Sequence, residues 1–201
     1  MQDFSRVSIT ELAVIIARHL SGHGVEVVLV GGLAVEIYTE NLYLTKDIDM
    51  VDISYQPPAA LCKAMEELGF HKKGRVFANP TTDITVEFPS APLSIGDELV
   101  QQTTTVDLPT GQIPILLVED VVKDRLSAFV HWRDTQSLVQ ATAILLKHGL
   151  KPESFKVYFE CENSTDQFHL LQLLYRRGKE YRNFTMIKLE NDLAQILLKN
   201  L

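Results

Sequence analysis

The chain has 201 residues, 46% hydrophobic and 22% charged, with a formal net charge of −7 and a pI of about 5.3. That length holds one domain with a sizeable core, or one domain plus a small helical extension. The acidic balance supplies no global field for nucleic acid, no run of about 18 apolar residues offers a membrane span, and the two distant cysteines, Cys62 and Cys161, imply no disulfide framework.

The N-terminal stretch MQDFSRVSITELAVIIARHL carries acids and a short amphipathic pattern, not the basic region and apolar core of a secretory leader. A reducing cytoplasm is therefore the expected location. Ser8 to Ser21 reads as an amphipathic helix, with Leu12, Ile15, Ile16 and Leu20 at helical spacing. Ser8 or Thr10 with Glu11 offers a capping pattern, and Gly22 and Gly24 stop the helix. Val25 to Val30 is a nearly continuous β-branched run, the signature of a buried strand. Gly31-Gly32 then turns the chain into a helix through Leu33, Ala34, Ile37 and Tyr38. Leu44 to Val51 is a second strand, and Pro57-Pro58 opens a helix through Leu61, Met65 and Leu68 that Gly69 ends.

Two further strands are expected, a short one over Lys72 to Asn79 and the alternating DITVEF of Asp83 to Phe88. After Pro114 the pattern is mostly helical, with helices over Leu117 to Trp132, Asp134 to His148, Ser164 to Arg177 and Thr185 to Leu201. The chain thus divides into an α+β region, residues 1–113, and a helical region, residues 114–201, that shares or extends its core. No repeat or low-complexity segment interrupts it.

The chemistry gathers in VVLVGGLAVEIYTENLYLTKDIDMVD, Val27 to Asp52. Side chains alternate along a strand, so Asp47 and Asp49 share a face. Two carboxylates on one face repel unless a cation lies between them. Magnesium in phosphate chemistry is commonly held by one or two carboxylates plus the substrate's phosphates. The glycine pair permits close backbone approach at a helix start, where free N–H groups receive phosphate.

The combination of apolar strand, Gly31-Gly32, helix, Thr45 and the Asp47-Ile48-Asp49 triplet resembles the signature of the polymerase β-like nucleotidyltransferase superfamily. In that signature a strand ending in Gly-Gly or Gly-Ser precedes two acidic residues separated by one hydrophobic. The resemblance implies a small mixed β-sheet with flanking helices and a helical C-terminal extension. It also implies transfer of a nucleoside monophosphate from an NTP to a hydroxyl acceptor, with Mg²⁺ or Mn²⁺ as the ion. Gly31 and Gly32 would hold the phosphate tail, and Asp47 and Asp49 two metal ions. A third carboxylate comes from a neighbouring strand; within DITVEF, Asp83, Thr85 and Glu87 share one face, and Glu87 is the choice over Asp83. Thr45, Lys46 and Arg125 are candidate phosphate or acceptor contacts, although Lys46 faces away from the metals in a regular strand.

Farther along, Asp124, Arg125, Leu126, Ser127 and Ala128 look like a helix motif of the abortive-infection-type nucleotidyltransferase toxins, with arginine in place of lysine. The acidic positions of a second toxin motif fall here on Ser137 and Gln140, which points to a neighbouring branch. The resemblance covers residues 25 to about 141. RNA ends, a protein side chain or a small molecule all fit as acceptor, and a cognate partner protein in a toxin–antitoxin module fits the same resemblance. The alternative is a non-catalytic module of the same fold that binds a nucleotide or a partner. Arg176, Arg177, Lys179 and Arg182, with Tyr175 and Tyr181, read either as a nucleic-acid patch or as cations offsetting a helix dipole. His19, His23, His71, His131, His148 and His169 show no convincing ligand spacing.

Overall fold

A computed structural model of the chain describes residues 2–199. The protein is α+β, a mixed sheet with flanking helices followed by a helical C-terminal part. Its elements in order are α1 (Ile9–Gly22), β1 (Val27–Val30), α2 (Gly31–Tyr38), β2 (Asp47–Asp52), α3 (Pro58–Glu67), β3 (His71–Lys73), β4 (Val76–Ala78), β5 (Thr85–Glu87), β6 (Ser94–Ile95), β7 (Glu98–Leu99), β8 (Thr103–Leu108) and β9 (Gly111–Leu116). Then come α4 (Val118–Trp132), α5 (Thr135–His148), a 3-10 turn (Pro152–Phe155), α6 (Lys156–Cys161), α7 (Thr165–Glu180) and α8 (Met186–Lys199). The last two residues of the expected final helix lie outside the described residues. The chain forms two compact units, Met1–Ala34 with Leu44–Leu117, and Val35–Tyr43 with Val118–Leu201.

The first unit holds a seven-stranded sheet in the order β3-β4-β5-β2-β1-β9-β8, and a separate β6-β7 pair. β1 runs antiparallel to β2, with Val30 opposite Asp49, and β2 runs parallel to β5, with Asp47 opposite Thr85 and Asp49 opposite Glu87. Alternation sorts the side chains: Ile48, Met50 and Val86 are fully buried, while Asp47, Asp49, Thr85 and Glu87 point the other way. Ser8 caps α1, its hydroxyl accepting from the Glu11 amide, and Leu12, Ile16 and Leu20 are buried below it. The α1 helix packs on β1, β9 and α3.

The edge of this sheet differs from the expectation. The expected single strand over Lys72 to Asn79 is a hairpin, β3-β4, turned at Gly74, whose φ of 65° suits glycine. Pro114 does not open the helical region but lies within β9, opposite Thr105 of β8. Proline has no N–H to give to a ladder, and the parallel register of β9 with β1 is confined to Leu29 opposite Ile115. The change to helix comes at Val118.

In the second unit α5 is central, touching α4, α7 and α8. Every residue from Ser137 to Leu145 is buried, the pattern of a helix surrounded by others. Asp134 caps it, accepting from the Gln136 amide and, at 2.6 Å, from the Ser137 hydroxyl. Gly149, at φ 66°, ends it. Segment 35–43 docks on its C-terminal end, where Lys147 Nζ lies 2.7 Å from Glu40 and His148 Nε2 lies 2.8 Å from the Tyr38 carbonyl. Among the described residues, no helix is long and apolar enough to cross a membrane.

Candidate nucleotide and metal site

The two strands that carry the acids are held in register by their backbone, so the carboxylates owe their grouping to the ladder. Asp47 and Asp49 are two residues apart on β2, and Glu87 stands directly opposite Asp49 on β5. The strand containing Glu87 begins only at Thr85, so Asp83 lies outside the paired segment. The register therefore puts Glu87, and not Asp83, beside the aspartate pair. Asp47 is exposed, and Asp49 and Glu87 are half-buried, so the acids line an open sheet surface.

Several neighbours fix these acids. Thr85 donates its hydroxyl to Asp47 Oδ1 at 2.5 Å, and the Thr45 hydroxyl accepts from the Asp47 amide at 3.2 Å. The Thr85 amide donates to the Lys46 carbonyl at 3.1 Å, which ties the start of β5 to β2. Arg75, exposed in the β3-β4 turn region, brings Nε within 3.8 Å of Glu87 Oε1. Exposed and at that distance, it contributes little to stability, but it puts a cation at the rim of the acids. Thr85 and Arg75 were not among the expected site residues. The alternation of DITVEF held the signal for Thr85, since it shares the face of Glu87; Arg75 reaches the site only through the hairpin.

The glycine pair completes the arrangement. Gly31 leaves β1 with φ 63°, a conformation that L side chains rarely adopt. A Cβ at Gly31 would overlap the Asp49 carboxylate, and one at Gly32 would stand 3.1 Å from the Thr45 hydroxyl. Both positions thus face the acid-bearing strand with bare backbone. Gly31 and Gly32 also begin α2, whose first amides have no partner within the helix. The site residues Gly31, Gly32, Thr45, Asp47, Asp49 and Glu87 all lie in the first unit, and the structure brings them together.

Arg125 belongs to the second unit, on α4. Its guanidinium grips the neighbouring Asp124 through Nε at 3.0 Å and Nη2 at 2.5 Å. Ser137 and Gln140 are buried in α5, and Gln140 Oε1 has no hydrogen-bond partner among the described residues. The C-terminal cations sit at the end of α7, where Arg177 and Lys179 lie in the last turn. Lys179 lies over the Tyr175 ring at 5.9 Å, and the Tyr181 hydroxyl donates to Asp192, so both aromatic rings have local partners.

An all-carboxylate donor set beside open backbone amides suits a hard divalent ion and a phosphate, and does not suit a soft metal. No family model matches the sequence, and no curated protein matches it.

Proposed function

We propose that the protein is a metal-dependent nucleotidyltransferase that moves a nucleoside monophosphate from an NTP to a hydroxyl acceptor. The observation that carries this reading is the parallel register that sets Glu87 opposite Asp49, on the face shared with Asp47 and next to Gly31. Asp47, Asp49 and Glu87 would hold Mg²⁺ or Mn²⁺. When bound, such ions neutralise phosphate charge and stabilise the attacking and leaving oxygens of an in-line displacement.

The chain's own residues have distinct tasks. The Gly31 and Gly32 amides, at the positive end of α2, bind the phosphate tail and orient it. The Thr45 hydroxyl, against Gly32, extends that cradle. Thr85 steadies the Asp47 carboxylate through one oxygen and leaves the other to a ligand. The acceptor hydroxyl forms a bond to the α-phosphorus, the bond from that phosphorus to the bridging oxygen breaks, and pyrophosphate leaves. Glu87 would take the proton of the incoming hydroxyl. An RNA end, a protein side chain and a small molecule remain the candidate acceptors, and a partner protein of a toxin–antitoxin pair is compatible with the same chemistry.

The test is incubation with each labelled NTP, Mg²⁺ or Mn²⁺, and cellular RNA or lysate, comparing the wild type with Asp49→Ala. Label transfer by the wild type that disappears in Asp49→Ala supports the reading and identifies the acceptor class. Absence of both transfer and metal-dependent NTP binding would overturn it in favour of a non-catalytic module of the same fold.

A further inference from the structure

Away from the carboxylate face, the last turn of α1 meets the end of α3. His19 lies in the last turn of α1 and His23, four residues on, is its C-cap, and their ring centroids lie 4.4 Å apart. Glu67, the last residue of α3, faces them: its Oε2 is 2.9 Å from His23 Nε2. One ligating atom from each of the three side chains lies within 4.8 Å of the other two.

The hydrogen bonds around the rings decide what this cluster can hold. His19 Nε2 is 2.9 Å from the Ala64 carbonyl, and His23 Nδ1 is 2.8 Å from the His19 carbonyl. A carbonyl only accepts, so each of those ring nitrogens must carry a hydrogen. The lone pairs of the neutral rings are thereby assigned to His19 Nδ1 and His23 Nε2. His23 Nε2 then directs its lone pair at a carboxylate oxygen, two acceptors at hydrogen-bond distance. Such a contact demands a cation between them, either a proton or a metal ion.

Metal-binding histidines characteristically donate their other ring nitrogen to a backbone carbonyl or a carboxylate, and that bond fixes both tautomer and ring orientation. Here both histidines have such a carbonyl partner. Two imidazoles and one carboxylate make a borderline donor set, suited to Zn²⁺ and its neighbours and not to Mg²⁺. Tetrahedral zinc with bonds of about 2.0–2.1 Å spaces its ligand atoms about 3.3 Å apart. His23 Nε2 and Glu67 Oε2, at 2.9 Å, lie close to that spacing, and the Glu67 side chain, 44% exposed, has room to turn towards a shared ion.

We infer that His19, His23 and Glu67 bind a divalent transition-metal ion of the zinc class, clamping the end of α1 to the end of α3. This site is separate from the carboxylate face and takes a different chemical class of ion.

Zinc titration of the metal-free protein at neutral pH, followed by calorimetry, tests the inference in the wild type, His23→Gln, Glu67→Gln and the control His71→Gln. The expected result is one saturable equivalent, with affinity unchanged in His71→Gln and at least about tenfold weaker in His23→Gln and Glu67→Gln. The wild-type thermal midpoint should rise with zinc, and that of His23→Gln should not. Because these side chains are at the surface, the variants should keep the wild-type circular dichroism. A second readout is independent of the variants: zinc should shift the ring ¹⁵N resonances of His19 and His23 and leave those of His71 and His169 in place. Absence of a saturable equivalent, retention of wild-type affinity in His23→Gln, or unshifted His19 and His23 rings would overturn the inference.

Discussion

Asp49 on β2 and Glu87 on β5 stand opposite each other in a parallel register, two acids on neighbouring strands of one sheet face. Like charges placed so are destabilising by a few tenths to about 1 kcal/mol. Replacing Glu87 by Gln should therefore leave the metal-free protein as stable as the wild type or more stable by up to about 1 kcal/mol. The same substitution should lower nucleotide transfer by at least about 100-fold, the usual scale for losing a group that stabilises charge in the transition state. Denaturant unfolding and a transfer assay on the same preparation read both quantities, and a stability loss larger than about 2 kcal/mol would point to a structural role for Glu87.

Gly31→Ala meets two obstacles. The backbone there has φ 63°, and the new methyl group would overlap the Asp49 carboxylate. The left-handed conformation alone costs an L residue about 1–2 kcal/mol, so a total loss of about 2–3 kcal/mol is expected once crowding is added. Combining Gly31→Ala with Asp49→Ala should recover part of that loss, because the clash disappears and the backbone strain remains. A double-mutant cycle on unfolding free energies should thus give a coupling above about 0.5 kcal/mol.

In the helical unit, Gly178 on α7 is buried where a side chain would run into Leu146 of α5 and Leu189 of α8. Gly178→Val should destabilise by about 1–3 kcal/mol through overpacking, read as a lower urea midpoint with an unchanged slope. Leu146→Ala in the Gly178→Val background should return some of that loss, although alone it would leave a cavity.

Tyr38 gives the alkaline limit of the same unit. Burial first, then the nearby Glu119 and Asp120, push its phenol up to about 12, against about 10 in an unfolded chain. The folded state thus binds this proton more tightly. The contribution is complete below pH about 10 and is lost as pH rises towards about 12. In a spectroscopic pH titration of the tyrosines, Tyr38→Phe should remove the step near pH 12 and flatten the loss of stability between about 10 and 12.

The run from β1 through the glycines to β2 was legible because its signals are local: a β-branched apolar run, a glycine pair and strict alternation around Ile48. Ser8 likewise announced its helix by capping chemistry that needs only the next three residues. The β8-β9 hairpin was hidden because TTTVDL is polar and Pro114 reads as a break, and only the partner strand shows why proline is tolerated there. The grouping of His19 and His23 with Glu67 was hidden for a similar reason, because the acid beside His23 comes from 44 residues away. The neighbour of the aspartate pair lay between these extremes: alternation placed Asp83, Thr85 and Glu87 on one face, and only the register shows that Glu87 stands opposite Asp49.

The boundary between the two units passes through α2, so the chain begins that helix in one unit and finishes it in the other. The partners of its far end, Lys147 for Glu40 and His148 for Tyr38, follow 107 and 110 residues later. At ribosomal speeds of about 5–20 residues per second, roughly 5–20 s pass between the emergence of the two sides of these contacts. During that interval segment 35–43 has no surface of its own unit to rest on. The nascent protein therefore cannot finish one unit before starting the other, and a chain stopped after residue 117 would expose the buried side chains of Val35 and Thr39 to whatever chaperone or protease reaches them first.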